Sequence, residues 1–240
     1  MRFIIFLVIT GALTMSAGAA YFFFGQPKED PLAIEMKAFE REIKTVTPAA
    51  RRGDVRAQHR LGHVYGDANP AFRDYKSALK WYRKAADQGH IGAQYATGNF
   101  HANGLGTGQN YHRASEWFLL AGGLGRHRDA QFALGDLYFY GRGVPHSYGQ
   151  AINWYKKAAA KGHPIAQYVL GLMYREGWGG DDDLVEAFKW ISLALPNAKI
   201  IEAYDTAFKP VRAREKLLLR MNRSQLERAD KLIAAWKPQS

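Results

Sequence analysis

The sequence of 240 residues contains no cysteine. Disulfide bonds, thiolate metal ligands and cysteine nucleophiles are therefore excluded, and an oxidising compartment would damage no thiol. Acidic residues are also few: 22 Asp and Glu stand against 33 Lys and Arg, which leaves a formal net charge of +11. Such a charge favours anionic partners, acidic proteins among them. The basic residues are scattered beside acids and accompany no nucleic-acid-binding signature, so we expect no nucleic-acid partner.

Recognisable catalytic and metal-binding patterns are missing as well. His59 and His63 have the spacing of the two zinc ligands in a metalloprotease helix, but Arg60 stands where that motif requires its catalytic Glu. The three Asp residues at 181–183 lack the spaced ligands of a calcium loop and are expected to cap the helix that follows. We therefore expect no catalytic residue, no metal and no cofactor. The alternative is an envelope enzyme that binds or hydrolyses peptidoglycan or another glycan.

One long apolar run extends from Phe3 to Phe24, with no charge until Lys28. At a rise of about 1.5 Å per residue, a helix of this length spans a hydrocarbon core of roughly 30 Å. Residues 1–26 are predicted to be a signal anchor that meets the membrane through residues 3–24. The alternative is a signal peptide cleaved after the small-x-small pattern at 17–19. The chain would then lie on the periplasmic side of the inner membrane or, after cleavage, be periplasmic or secreted.

The next segment, residues 27–52, is predicted to form a linker or cap helix. Asp30-Pro31 has the form of a helix start, and an apolar stripe follows at spacings of four and three. The stripe consists of Leu32, Met36, Phe39, Ile43 and Val46. It fits either a short dimerising coiled coil or a cap that packs on the domain that follows. Thr47-Pro48 is predicted to end or restart the helix.

A repeat of about 36 residues dominates the rest of the chain. Tryptophan occurs at 36-, 37- and 36-residue intervals, at Trp81, Trp117, Trp154 and Trp190. An Ala-Gln pair recurs with the same period and is followed by a glycine five residues after each Ala. The Ala residues are Ala57, Ala93, Ala130 and Ala166, and the glycines are Gly62, Gly98, Gly135 and Gly171. Self-similarity at this period predicts a stacked array of helix pairs.

Each unit is predicted to contain two helices joined by a turn. Apolar residues four apart mark the first helix, and a stripe of Ala with Trp and Tyr marks the second. Gly-x-Gly pairs separate the helices at 104–106, 141–143 and 177–179. Glycine in the middle of the first helix costs about 1 kcal/mol relative to Ala, so its recurrence indicates close packing. His90 and His163 follow closing glycines and are predicted to start helices.

The pattern Gly-His-Pro-Ile-Ala-Gln-Tyr-Val-Leu-Gly-Leu-Met-Tyr at 162–174 resembles the Sel-one-like repeat (SLR), a relative of the tetratricopeptide repeat. The resemblance covers residues 53–195, as four repeats at 53–88, 89–125, 126–161 and 162–195. It implies an all-α, right-handed α-α superhelical solenoid with a concave protein-binding surface. It also implies an adaptor role, in envelope assembly, membrane-associated regulation or host contact.

The remaining residues, 196–240, are predicted to form C-terminal capping helices. Pro196 should end the second helix of the fourth repeat. Ser224 and Glu227 have the spacing of a capping box in front of an apolar stripe that is suited to covering the last repeat.

The candidate binding residues lie two and six positions beyond the marker Ala of each repeat, about opposite the buried stripe. They are His59, His63, Tyr95, Asn99, Phe132, Asp136, Tyr168 and Leu172. In one interpretation they line a groove for an extended peptide or partner loop, with the aromatic rings as anchors. In the other, Tyr95, Phe132 and Tyr168 pack on the neighbouring repeat. The function predicted from the sequence is an exported, membrane-anchored adaptor for proteins or peptides rather than an enzyme.

Overall fold

The structure is a computed structural model that describes residues 30–239. The chain divides into two compact units at Glu42. In the first unit, the described residues 30–42 form the beginning of helix α1 (Pro31–Arg51), and the carboxylate of Asp30 accepts the N–H of Leu32 at 3.1 Å. The predicted anchor, residues 3–24, lies outside the described residues. None of the helices between residues 30 and 239 combines the length and apolarity that crossing a bilayer requires.

Helix α1 continues through Pro48, so the prediction that Thr47-Pro48 ends or restarts it is wrong. The last turns of the helix bury Val46 and Ala50 against Leu61 of the first repeat. This burial offsets the backbone hydrogen bond that proline cannot make. Residues 43–51 therefore pack as a cap on the first repeat.

Four helix pairs follow, and all regular secondary structure within residues 30–239 is helical. The pairs are α2 (Val55–Gly66) with α3 (Tyr75–Asp87), α4 (Ile91–Asn103) with α5 (Tyr111–Leu119), α6 (Arg128–Tyr140) with α7 (Tyr148–Ala160), and α8 (Pro164–Glu176) with α9 (Leu184–Ala194). Each helix packs on the next along the chain, both within a pair and between pairs. The predicted all-α repeat solenoid is confirmed.

The recurring glycines bring the two helices of each pair into close contact. A Cβ atom on Gly62 would overlap the ring of Tyr82, a residue of the second helix. The same relation holds for Gly98 with Phe118, Gly135 with Tyr155, and Gly171 with Ile191. The structure confirms the predicted packing reason for a residue that is otherwise unfavourable inside a helix.

The recurring glutamines connect each repeat to the helix before it. All four are buried, and each side-chain amide donates to a carbonyl near the end of the preceding helix. The pairs are Gln58 with Ala50, Gln94 with Ala86, Gln131 with Gly122, and Gln167 with Ala159. A carbonyl in the last turn of a helix has no intrahelical partner, so the amide satisfies a group that would otherwise be buried alone.

The single 37-residue interval has a local structural cause. Helix α5 passes into a π-helix at Leu120–Leu124, whose wider turn absorbs one extra residue. Arg126 follows at φ +52°, the only non-glycine residue with positive φ between residues 30 and 239. Gly89 and Gly162 occupy the corresponding position in two other repeats, with φ of +85° and +76°.

The C-terminal segment covers the last repeat, as predicted. Helix α9 ends at Ala194, followed by a 3₁₀ turn (Leu195–Asn197) and helices α10 (Ala198–Tyr204), α11 (Pro210–Leu218) and α12 (Arg223–Ala235). Ile201 and Leu217 are fully buried in one cluster with Phe188 of α9.

Two capping predictions had different outcomes. The side chain of Asp183 accepts the N–H groups of Val185 and Glu186 at 3.0 Å, so the acidic run caps α9 as expected. The capping box of α12, however, is formed by Asn222 and Gln225, each side chain accepting the other's backbone N–H at 2.9 Å. Ser224 and Glu227 lie inside the helix, because Asn222 takes the N-cap position two residues earlier.

Candidate functional site

In the first three repeats, the first residue of the predicted binding pair packs its ring on the histidine that starts the next repeat. Ring centroids are 4.2 Å apart for His59 and His90, 4.6 Å for Tyr95 and His127, and 4.5 Å for Phe132 and His163. The exposed fraction is 8% for Phe132 and 3% for Tyr168, which packs on Phe208 of the C-terminal segment. These aromatic residues therefore pack on a neighbouring part of the chain, and the rings of Phe132 and Tyr168 offer a partner little surface.

The stacked histidines also cap the first helices of the second, third and fourth repeats. Nδ1 of His90, His127 and His163 accepts the N–H three residues further on, at 3.1, 3.4 and 3.1 Å. Burial lowers the pKa of all three imidazoles, and that of His163 to about 4. A neutral imidazole is required for this role, because a protonated Nδ1 cannot accept a hydrogen bond. His90 and His163 start helices, as predicted.

A cavity of about 340 Å³ lies between α4 and α6, and we call it the central groove. Four of the eight predicted residues line it: Tyr95, Asn99, Phe132 and Asp136. Further lining residues include Asn103, Asp129, Arg142 and Tyr204. The other four predicted residues lie elsewhere: His59 and His63 on the first repeat, Tyr168 and Leu172 against the C-terminal helices. The partner-binding role of the eight residues stays a prediction.

Asp136 is a buried carboxyl group that lines the central groove. The hydroxyl of Tyr155 donates to one carboxylate oxygen at 2.6 Å, and that of Tyr204 to the other at 3.3 Å. Burial raises the pKa of Asp136 to about 6, although both hydrogen bonds and the charge of Arg142 favour the ionised form. The groove thus holds a carboxylate that is mostly charged at pH 7 and half protonated near pH 6.

Tyr204 and Arg142 are among the groove residues that were not identified from the sequence. Tyr204 belongs to α10, outside the repeats, and lies 68 residues from its hydrogen-bond partner Asp136. Arg142 is the middle residue of a Gly-x-Gly turn, and its guanidinium lies 4.7 Å from the ring centroid of Tyr140. The turn itself was visible in the sequence, but the direction of its side chain was not.

The histidines of the first repeat form a separate cluster. The ring centroids of His59 and His63 are 4.6 Å apart, and Nδ1 of His63 lies 2.8 Å from a carboxylate oxygen of Asp67. Burial, followed by the neighbouring histidines, lowers the pKa of His59 to about 4. In the part of the chain that the structure describes, no group of three or more His, Cys, Asp or Glu side chains is arranged to hold a metal ion.

Comparison with known families identifies the repeats. The sequence model of the Sel1 repeat matches residues 55–90, 91–125, 128–163 and 164–195, over half of the chain. The chain belongs to the Sel1 repeat family. The matched segments 55–90 and 128–163 each end at a stacking histidine, His90 or His163. The last residue of one Sel1 repeat is thus also the cap of the next.

Solved structures show the same fold. The crystal structure of c5321, "a protective antigen present in uropathogenic Escherichia coli strains displaying an SLR fold", is 29% identical, with a TM-score of 0.69 over 91% of this chain. This chain covers 44% of c5321. A Sel1 repeat protein from Oxalobacter formigenes is 23% identical, with a TM-score of 0.61 over 83% of this chain and 79% of that one. A search of curated proteins gives no significant match.

Proposed function

We propose that this Sel1 repeat protein is an adaptor that holds a segment of another protein in the central groove. Sel1 repeats generally mediate protein–protein interactions. The observation that carries the proposal is the grouping of polar side chains from two repeats and the C-terminal segment around one open cavity. Asn99, Asp136 and Tyr204 represent these three parts of the chain.

The groove chemistry supports an extended peptide as the ligand. Asn99 and Asn103 lie one helical turn apart on α4, and a primary amide both donates to and accepts from a peptide backbone. Arg142 adds a guanidinium at the rim, which pairs well with a carboxylate of the partner. The net charge of +11 attracts acidic proteins over longer distances. The preferred partner is therefore a segment that carries at least one acidic side chain.

We also propose that residues 3–24 anchor the chain in the inner membrane and hold the repeats on the periplasmic side. The support is the uncharged, largely apolar run, which continues through Phe24 beyond the small-x-small pattern at 17–19. Cell fractionation with intact-mass measurement tests this. A membrane-bound chain of full mass supports an anchor, whereas a free chain lacking about twenty residues means that the segment is a cleaved signal.

The groove proposal is tested by removing the two amides. The double variant Asn99→Ala/Asn103→Ala should retain its helicity, because Ala is the better helix former. Its capture of crosslinked partners should fall at least about ten-fold, as expected when two hydrogen bonds to a backbone are lost. Asn153→Ala, an exposed change on α7, is the matched control. Equal capture by the double variant and the control would refute the central groove as the binding site.

An envelope enzyme that cleaves glycans is the second candidate, and one observation favours it. Asp129 and Asp136 both line the groove, and a pKa near 6 suits a general acid. Against it, both oxygens of Asp136 accept tyrosine hydroxyls, which occupy the positions that a substrate would need. Incubation with cell-wall fragments separates the candidates: product formation that Asp136→Asn abolishes supports the enzyme, and saturable capture without product supports the adaptor.

A further inference from the structure

His101 differs from its counterparts in the other repeats. The position eight residues beyond the marker Ala is tyrosine in three repeats, at Tyr65, Tyr138 and Tyr174, and histidine only in the second. His101 is 6% exposed, and its buried Nδ1 has no hydrogen-bond partner among residues 30–239. Buried polar atoms without a partner are rare in native proteins. The ring therefore carries an unpaired polar atom next to the cavities that it lines.

Two positively charged side chains flank this ring. Cavities of about 390 and 430 Å³ meet at His101, and both are lined by Arg83 of α3 and Arg113 of α5. Burial lowers the pKa of His101, and the charges of Arg113 and Arg83 lower it further. The positive charges of Arg83 and Arg113 thus lie on either side of a neutral ring, and a bound anion would reduce the repulsion between them.

The nearby acids neutralise this cleft only in part. Arg83 is 4.0 Å from Asp87 in an exposed pair, and Glu116 lies 3.7 Å from His112. Arg113 forms no ion pair within residues 30–239. Five cationic residues and two acidic residues line the two cavities. They are Lys76, Lys80, Arg83, Lys84 and Arg113 against Asp87 and Glu116.

We propose that the cleft formed by Arg83, His101 and Arg113 binds a phosphate group. Guanidinium groups from two different repeats bracket the phosphate oxygens, and the ring of His101 lines the cleft beside them. The surrounding lysines match a ligand with more than one negative charge. Two sources supply this chemistry, a soluble phosphate ester and the phosphate of an anionic lipid headgroup. Arg83 and Arg113 lie on the second helices of repeats one and two, His101 lies on the first helix of repeat two, and the central groove has none of these three residues in its lining.

Titration of the full chain with inorganic phosphate tests the first source. We expect a saturable shift of the His101 ring resonances in the ¹⁵N-labelled protein. Arg113→Gln should weaken binding about ten-fold, as expected for the loss of one charge-assisted contact. His101→Tyr, which restores the residue of the other repeats, should also weaken binding and leave the circular dichroism spectrum unchanged. Arg212→Gln is the charge-matched control on the exposed surface of α11 and should bind as the wild type does.

Vesicle binding of the full chain tests the second source. If the ligand is a lipid headgroup, the wild type binds phosphatidylglycerol vesicles more strongly than phosphatidylcholine vesicles, and Arg83→Gln/Arg113→Gln loses this preference. If the ligand is soluble, the phosphate titration depends on the two arginines and the vesicle preference does not. The proposal is overturned if neither phosphate binding nor vesicle preference changes in Arg83→Gln/Arg113→Gln relative to Arg212→Gln.

Discussion

Replacing Asp136 by Asn should remove a specific pH dependence from the stability of the fold. Burial raises the pKa of this carboxyl group to about 6, against about 3.9 for an unfolded Asp. The native state therefore binds the proton more tightly than the unfolded state, so this group adds most stability below pH 4, and that stability is lost as the pH rises through 6. The full effect of such a shift is about 3 kcal/mol, of which about 1 kcal/mol falls between pH 7 and pH 5.

Urea unfolding at pH 7 and at pH 5, followed by far-ultraviolet circular dichroism, measures this effect. The free energy of unfolding of the wild type should rise by about 1 kcal/mol relative to that of Asp136→Asn when the pH falls from 7 to 5. Histidines titrate in the same range, but they are common to both proteins and cancel in the difference. Asp230→Asn, an exposed change on α12, controls for net charge. If the difference in free energy of unfolding between wild type and Asp136→Asn is the same at pH 7 and pH 5, the pKa of the buried carboxyl group is not raised as the structure requires.

Three further changes probe the repeats. Arg126→Gly removes the steric strain of a side chain on a left-handed backbone at φ +52°, so it should raise the free energy of unfolding by about 1 kcal/mol. A lower melting temperature would contradict this. His163→Asn keeps a side chain able to cap α8. Burial lowers the pKa of His163 from 6.5 to about 4, so the free energy of unfolding of the wild type should fall by about 2 kcal/mol relative to this variant when the pH drops from 7 to 5. An equal difference between the two proteins at both pH values in urea unfolding would refute a neutral His163 cap. Gly135→Ala drives a Cβ into the Tyr155 ring and should cost about 1–3 kcal/mol, whereas the open site at Gly149 should tolerate Ala; equal midpoints in urea would argue against close helix packing.

The repeat architecture could be predicted because each of its signals recurs with one period. Gly135 and Gln131 have the same neighbours as their counterparts in the other repeats, so periodicity alone implied a shared packing role. The extra residue in the second interval was also visible. Its consequence, a π-helix that leaves Arg126 in a left-handed conformation, depends on how the last turn of α5 meets α6.

The candidate binding residues could be predicted only in part. Helical spacing identified a row on the first helices, but it does not reveal which side chains the next repeat covers. Phe132 and Asp136 are four residues apart on α6. Both line the central groove, but the ring of Phe132 stacks on His163, whereas Asp136 accepts hydrogen bonds from Tyr155 and Tyr204. The difference comes from the other helices of the protein that pack against each side chain, not from the spacing of the residues along α6.

The order of the side chains by itself determined the number of helix pairs, their approximate limits and the positions at which backbones meet closely. These properties follow from local helix periodicity and from side-chain volume, which the sequence contains directly. Only the tertiary structure decided the hydrogen bond from Tyr204 to Asp136, the raised pKa of that carboxyl group, and the meeting of Arg83 with Arg113 at His101. Each of these depends on the burial and charge contributed by residues from different helices, and such contributions exist only once the helices are packed together.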